Sequence, residues 1–382
     1  MNMKCFFLIF VLFVFTSCNT SKEDSAEVIN FFGYPESAEM IDFKKAGVGM
    51  LTLVKEIDIF DVANIPVGQI VSVDTLGDDI LLADIKQNMV HVLDRETYRY
   101  KTSIGSSGKD PDQLHLAFGA LSWNGEVMVG NGQGPYLFKS FSPEGRLINT
   151  YNNTEPLSWG VAAGDINNSF IADSIAYVVK QVAENGKKVA RYRLADQAEK
   201  IKEELVPVSD LHESLDSATM TKVIIKMFLL KSSLGNGFYV MPSNKFLVNN
   251  YTMDGVLKSS INLMNIPLLK TYVEQIKNYA NSFFSSVAIS FFSSVAIDED
   301  DNLYIPAQEI LAYEAFKKGM ALNPEDIDLF ILSINLENKS YFVNKLESGT
   351  GKALAPLKVF DGKIWCYDYV KSQIVIYQLP KI

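Results

Sequence analysis

The fold is decided by the stretch VSVDTLGDDILLAD, residues 71 to 84, in which two apolar strands flank a tight polar turn. Gly77 and the aspartates beside it supply the turn chemistry of a β-hairpin. A third apolar run, residues 88 to 93, and a fourth segment, residues 98 to 104, follow directly. Together they predict one four-stranded antiparallel unit.

The same pattern recurs along the chain, and the third copy is the least regular. The later copies are predicted at residues 121–146, 161–194, 233–256, 294–339 and 357–377. The last copy lacks a fourth strand, and we expect residues 50–57 to supply it by pairing with that unit. Such closure would remove unpaired strand edges, which invite aggregation.

Six four-stranded units are typical of a β-propeller, in which each unit is one blade. The predicted fold is therefore all-β, a six-bladed β-propeller over residues 48–382 whose ring is closed by an N-terminal strand. Short helical insertions are predicted at residues 208–228, 266–280 and 308–321, where apolar residues recur at helical spacing.

One octapeptide, SFFSSVAI, occurs twice in succession, at residues 282–289 and 290–297. Only the second copy leads into the acidic turn and the strand that follow it. We therefore predict that the second copy supplies the blade strand and that the first copy is either a recent tandem duplication or a sequence artefact.

Several residues of the first unit resemble the blade pattern of NHL-type repeats. In that pattern an aspartate closes the second strand and an asparagine opens the third, as Asp84 and Asn88 do here. Residues 104–111 resemble the glycine-rich loop between blades. Over residues 48 to 380 the chain resembles the TolB-like, six-bladed propeller lipoproteins of Gram-negative anaerobes. The resemblance is strong for the fold and weak for function, since propellers host unrelated activities.

The N-terminus resembles a bacterial lipoprotein signal. Lys4 precedes an apolar run, residues 5–15, and Thr16 and Ser17 lead to Cys18. The run is shorter than the roughly 20 residues that span a bilayer. We expect residues 1–17 to be the signal peptide, Cys18 to be acylated, and residues 18–47 to be a tether. The alternative is an ordinary secretory signal with an incidental cysteine.

Residues 19–24 resemble the acidic export tag that sends some lipoproteins of these bacteria to the cell surface. We therefore expect a lipid-anchored protein of the outer membrane, at the cell surface rather than facing the periplasm. A solvated, disordered tether is the alternative interpretation of the same residues.

Composition excludes some classes of partner. The formal net charge is −10, so the chain lacks the basic character that nucleic-acid binding needs. Of three cysteines, Cys5 would be removed with the signal and Cys18 acylated, which leaves Cys366 without a disulfide partner. Stability must come from the apolar core.

The sequence contains no strong catalytic or metal-binding motif. His91, His115 and His212 are far apart and lack the spacing of a zinc site or of a nucleophilic triad. The acidic run Asp298–Asp301 is predicted to be a turn between strands, with a calcium site as the alternative. We expect no catalytic residue, no bound metal and no cofactor.

A binding site is predicted at the mouth of the propeller channel, where loops between blades and between second and third strands meet. The residues expected there are Lys109, Asp110, His115, Asn131, Tyr136 and Trp159. Trp and Tyr at such a rim can stack on sugar rings or anchor a protein partner. The alternative for each residue is that it covers the edge of a blade.

The sequence therefore predicts a non-catalytic protein that binds a ligand or protein partner of the cell envelope or its surroundings, with glycans among the candidates. The first alternative is a propeller hydrolase or lyase acting on polysaccharide. The second is a structural scaffold, which would expose a large apolar patch.

Overall fold

The computed structural model describes residues 38–58, 68–108, 110–131, 136–152, 169–182, 186–194, 203–206, 227–235, 237–242, 246–270, 294–308, 329–346, 354–368 and 371–380. Within these ranges the chain is almost entirely β-strand, which confirms the all-β prediction. No helix in the same ranges is long and apolar enough to cross a bilayer.

Two strands, β1 (Glu39–Met40) and β2 (Lys44–Ile57), precede the repeated units. The first unit is the antiparallel sheet β3 (Ile70–Leu76), β4 (Asp79–Asp84), β5 (Met89–Asp94) and β6 (Tyr100–Ile104). The second is β7 (Ala117–Trp123), β8 (Glu126–Asn131), β9 (Tyr136–Phe141) and β10 (Leu147–Asn152). The third is β11 (Phe170–Ala172), β12 (Ile175–Val182), β13 (Gly186–Arg193) and β14 (Glu203–Val206).

The fourth unit is β15 (Met227–Lys231), β16 (Gly237–Pro242), β17 (Leu247–Thr252) and β18 (Leu257–Asn262). The fifth is β19 (Ala296–Ile297), β20 (Asn302–Gln308), β21 (Leu329–Asn335) and β22 (Ser340–Leu346). The sixth has three strands of its own, β23 (Leu354–Phe360), β24 (Lys363–Asp368) and β25 (Gln373–Gln378).

The N-terminal strand β2 supplies the missing strand of the sixth unit. Residues Thr52–Ile57 pair antiparallel with β25, from Gln378 back to Ile374. The first half of β2 pairs in parallel with β22, so one strand joins the fifth and sixth units into an eight-stranded sheet. The predicted pairing of residues 50–57 with the last unit is therefore confirmed from Thr52 onward.

The apolar core lies between the sheets, in six clusters among the described residues. Each cluster combines side chains of two successive units, and the last combines Trp365 and Ile376 of the sixth unit with Ile70 and Val73 of the first. The first strands contact one another in the same cyclic order, β3, β7, β11, β15, β19, β23 and again β3. Each sheet therefore buries both of its faces.

Burial on both faces explains why the middle strands are continuous apolar runs. In β8, Val127 and Val129 pack towards the first unit, whereas Met128 packs towards the third. Because successive side chains of a strand point to opposite faces, both sets must be apolar. In such a sheet the strands show no alternation of apolar and polar residues.

The tether prediction was wrong for residues 39–47. Strand β1 pairs in parallel with the end of β18, and Ile41 and Phe43 are buried in the cluster between the fourth and fifth units. Strand β2 begins at Lys44 rather than at Met50. The sequence around residues 39–47 resembles a linker because the strand that pairs with Glu39 and Met40 is more than 200 residues away, so no local pattern marks the pairing.

The helical predictions were wrong where they reach described strands. Met227 and Phe228 begin β15, whose apolar residues are all buried, and Gln308 ends β20. A short buried apolar run fits either periodicity, so sequence spacing cannot separate the two. The predicted helix at 266–280 begins as a helical turn at residues 267–270, and its remainder lies outside the described residues. Most of the other two segments also lies outside them.

The duplicated octapeptide enters the fold through its second copy. Ala296 and Ile297 form β19 and pair with Tyr304 and Leu303. The prediction that the second copy supplies the strand is confirmed, and the first copy lies outside the described residues.

We predict that Leu51→Ala strongly destabilises the fold. Leu51 is fully buried between the fifth and sixth units, and removing a buried leucine side chain costs about 2 to 5 kcal/mol of the free energy of unfolding. Denaturant unfolding followed by tryptophan fluorescence measures the change.

The matched control is Val54→Ala on the same strand, where the side chain is exposed. It should change the free energy of unfolding by no more than about 0.5 kcal/mol. Equal effects of the two substitutions would contradict the role of β2 in burying the core.

Candidate binding face

A buried carboxylate organises one end of the first unit. Asp84 ends β4, is fully buried, and accepts four backbone N–H bonds. Its Oδ2 accepts from Gly68 at 2.9 Å, and its Oδ1 accepts from Gln69, Lys86 and Gln87 at 3.0 to 3.1 Å. Asp84 thereby ties the β4–β5 turn to the segment that enters β3.

Hydrogen bonding keeps Asp84 ionised. Burial raises the pKa of Asp84, but hydrogen bonds from His91 and from the backbone of Gln69, Gln87 and Gly68 outweigh it and hold the pKa below its usual value of 3.8. The charged form is therefore the one that the fold stabilises.

His91 is the side-chain partner of this carboxylate. Its Nε2 lies 3.4 Å from Asp84 Oδ2, and both side chains are fully buried. Its Nδ1 is buried without a hydrogen-bond partner among the described residues. A His–carboxylate pair is a common catalytic element, but a substrate cannot reach this one, so the pair acts as part of the core.

Asn88 connects the same turn to the loop between the first and second units. Its backbone has φ of 55°, a left-handed conformation that asparagine tolerates. Its Oδ1 accepts from Leu116 and Ala117 N–H at 2.7 and 3.3 Å, and its Nδ2 donates to Ser107 Oγ at 3.0 Å. The β6–β7 loop is thus held at the end of the sheet where β4 meets β5.

Lys139 fixes that loop from the other side. It lies in β9, is almost fully buried, and its Nζ donates to the carbonyl oxygens of Pro111 and Gln113 at 2.8 and 2.5 Å. Burial lowers the pKa of Lys139, and the charge of Asp112 opposes this shift. The β6–β7 loop is therefore anchored to both the first and the second unit. We call residues 105–116 the anchored loop.

Two of the predicted site residues are described on the anchored loop. Asp110 and His115 are exposed on it, and Asp112 is exposed beside them. Asn131 ends β8 and Tyr136 begins β9, at the same end of the sheets as the anchored loop. For these two residues the structure describes the backbone. Lys109, Trp159 and Cys18 lie outside the described residues.

The sequence analysis did not predict two residues that help to hold this end of the sheets together, Lys139 and His91. Lys139 lies in an otherwise apolar strand, and a lone lysine in such a strand is the signal that marks it. His91 likewise stands in an apolar strand beside the Asp84 motif. Neither sequence position reveals which distant carbonyl or carboxylate the side chain will contact.

The acidic run is a turn, as predicted. Asp298 Oδ1 accepts from the backbone of Asp300 and Asn302, and its Oδ2 accepts from Tyr304 Oη at 2.8 Å. Burial and the neighbouring charge of Asp298 raise the pKa of Tyr304. The Asp298 carboxylate is therefore engaged within the protein.

Asp301 links the fifth unit to the fourth. Its carboxylate accepts from Ser232 Oγ, from Ser233 N–H at 2.7 Å and from Tyr239 Oη at 3.0 Å. Burial, followed by the charge of Asp301, raises the pKa of Tyr239 to about 12. No group of three or more potential metal ligands occurs within the described ranges.

Comparison with solved structures shows that other proteins share this fold. A member of the DUF4221 family from Bacteroides vulgatus superposes with a TM-score of 0.55 at 11% identity, over 86% of this chain and 97% of that one. A putative exported protein from Bacteroides fragilis superposes with a TM-score of 0.52 at 10% identity, over 90% of this chain and 100% of that one. At such identities the likeness shows the fold alone.

A weaker likeness, with a TM-score of 0.44 at 8% identity, is to the β-propeller domain of Swd1 from Myceliophteria thermophila, over 86% of this chain and 100% of that one. That score is too low to support an argument. No protein-family model matches the chain. No curated protein matches it either.

We predict that Asp84→Asn destabilises the fold at neutral pH by about 1 to 3 kcal/mol, because the amide nitrogen cannot accept the bond that Oδ2 receives from Gly68. The folded-state pKa of Asp84 lies below 3.8, so its stabilising effect is present above that pH and is lost as the pH falls through the folded value. The free energies of unfolding of Asp84→Asn and of the parent, measured by denaturant unfolding, should therefore converge as the pH falls from neutral to acidic.

Glu96→Gln provides the control, since Glu96 is exposed in the β5–β6 turn at the opposite end of the unit. It should leave the free energy of unfolding within about 0.5 kcal/mol of the parent. A constant gap between Asp84→Asn and the parent at every pH would count against the ionised carboxylate as the stabilising form.

Proposed function

We propose that the chain is a lipid-anchored, six-bladed β-propeller of the outer membrane that binds a ligand or protein partner without catalysing a reaction. Its binding face is the end of the sheets that carries the anchored loop. The NHL-type and TolB-like propellers are the classes that it resembles through Asp84 and Asn88.

The cyclic packing of the sheets supports six blades. Six core clusters each join two successive units, and the last joins the sixth unit back to the first. Strand β2 gives the sixth unit its fourth strand, as the N-terminal strand does in a ring closed by the chain termini.

The single observation that carries the non-catalytic proposal is the complete burial of the His91–Asp84 pair. A propeller enzyme needs titratable groups that converge on a substrate. On the binding face the carboxylate and lysine with shifted pKa values, Asp84 and Lys139, bind backbone groups instead. Among the described residues of the anchored loop, the exposed titratable side chains are Asp110, Asp112 and His115.

The lipid anchor and the outer-membrane location rest on residues 1–24. An acyl chain contributes about 0.8 kcal/mol per buried methylene, so two or three chains on Cys18 would hold the protein on a membrane. The envelope in turn limits the ligand to molecules found there or outside the cell, with glycans and proteins as the candidates.

We predict that the chain lacking residues 1–18 retains a glycan or protein partner in a glycan-array and pull-down screen. Asp110→Ala and His115→Ala should each weaken the captured interaction about tenfold, because both side chains are exposed on the anchored loop. Glu96→Ala, at the other end of the sheets, should leave it unchanged. Turnover of any glycan would overturn the non-catalytic proposal in favour of a hydrolase or lyase.

We predict that Cys18→Ala releases the protein from the membrane fraction. Without the acylated cysteine no covalent lipid remains to hold the mature chain. Fractionation of cells that express the parent and the variant at equal levels measures the change. Retention of processed Cys18→Ala in the membrane through high-salt washing would contradict the anchor.

A further inference from the structure

The N-terminal strands form a strap across the outer edge of three units. Strand β1 pairs with β18 of the fourth unit, the first half of β2 pairs with β22 of the fifth, and its second half pairs with β25 of the sixth. We call residues 39–57 the strap. A single closing strand needs only the last of these three pairings, so the first two call for a separate explanation.

The strap holds most of the exposed apolar side chains of the described ranges. Eight large apolar side chains are exposed in the described ranges as a whole. Five of the eight lie within 15 consecutive residues of the strap, with exposed fractions between 40% and 53%. These five are Met40, Val48, Met50, Leu53 and Val54. Clustered exposure of this kind marks an interaction surface rather than the scattered apolar residues of an ordinary surface.

The middle of the strap is basic, although the strap as a whole contains three lysines and three acidic residues. Residues 43–55 contain the three lysines and no acidic residue, and the acids at the two ends, Glu39, Asp42 and Glu56, each contact a side chain outside the strap, Lys339, Asn265 and Lys371. Lys44, Lys45 and Lys55 are all exposed. A strand that combines exposed apolar side chains with lysines has the chemistry that binds at an anionic membrane interface.

The inner face of the strap shows that the exposed side chains are not misplaced core residues. Leu51 is fully buried, and Gly47 and Gly49 pack against the ring of Phe342, where a Cβ atom on Gly47 would lie 2.5 Å from a ring carbon. In β2, Val48 and Met50 point to the opposite face from these residues. The register is therefore fixed from inside, and Val48 and Met50 remain on the outside.

We propose that the outer surface of the strap rests on an anionic lipid bilayer, with its apolar side chains in the headgroup region and its lysines near lipid phosphates. This inference deepens the proposed lipid anchor and rests on it for orientation. Twenty residues separate Cys18 from Glu39, so the strap is the part of the described fold that follows the anchor most closely along the chain. A second copy of the chain fits less well, since a symmetric contact through the strap would bring its exposed lysines close to the same lysines of the other copy.

The test measures binding of unacylated protein to vesicles. The chain from residue 19 onward contains every described strand and lacks both the signal and Cys18. It should float with vesicles of phosphatidylethanolamine and phosphatidylglycerol. Raising the salt to about 0.5 M should reduce flotation, because salt screens the lysine–phosphate attraction.

A triple substitution of the strap should lower the partition coefficient about fivefold or more, because apolar contact with the interface is lost. The strap variant is Val48→Thr, Met50→Thr and Leu53→Thr. The control variant replaces the three exposed apolar residues outside the strap, Ile148→Thr, Leu234→Thr and Val256→Thr. All six side chains are exposed, so both variants should fold.

The charge contribution is measured in the same way. The variant Lys44→Gln, Lys45→Gln and Lys55→Gln should bind more weakly and with less dependence on salt. Its control replaces three exposed lysines elsewhere, Lys231→Gln, Lys258→Gln and Lys270→Gln.

Two outcomes would overturn the proposal. One is equal flotation of the strap and control variants. The other is a dimer in sedimentation analysis that the strap variant abolishes, which would assign the surface to a second copy. Because the vesicle assay uses no acyl chain, its failure is separate from failure of the anchor, which Cys18→Ala tests after high-salt washing has removed binding through the strap.

Discussion

Closure of the cycle of sheets is the constraint on which the rest of the structure depends. Every sheet buries both faces against its neighbours, so an open array would expose two apolar end faces. The cluster that contains Ile57, Ile70 and Trp365 covers those faces by joining the sixth unit to the first. Pairing of Thr52–Ile57 with β25 holds that cluster in place with backbone hydrogen bonds.

Polar side chains then fix the loops that the cycle leaves at its ends. Asp84 binds four backbone N–H groups, Asn88 binds the anchored loop, and Lys139 holds the same loop through two carbonyl oxygens. An unpaired buried charge is costly, so Asp84 and Lys139 each favour one loop conformation strongly. The exposed groups on the anchored loop are thereby presented on a rigid support, which suits a binding surface.

The N-terminal region combines three roles within 57 residues. It carries the proposed signal and anchor, it completes the sixth unit, and it straps the outer edges of the fourth and fifth units. Any force on the anchor would reach the fold through strand pairings in three units rather than through one exposed strand. The proposed contact of the strap with lipid would extend the same attachment over a surface.

The sequence by itself determined the strand units, their turns, the second copy of SFFSSVAI as the strand former, and the pairing of residues 52–57 with the last unit. The strand units and turns follow from local periodicity and turn chemistry, whereas the pairing of residues 52–57 followed from the repeat count, because the last unit lacked one strand and an apolar strand preceded the first unit. Only the tertiary structure decided that residues 39–47 belong to the fold, that Met227 and Phe228 begin a strand, and that His91 and Lys139 are buried against distant partners. Each of those outcomes depends on pairing between residues far apart in the chain, such as Met40 with Asn262, and local sequence does not encode which distant edge or carbonyl group a residue will meet.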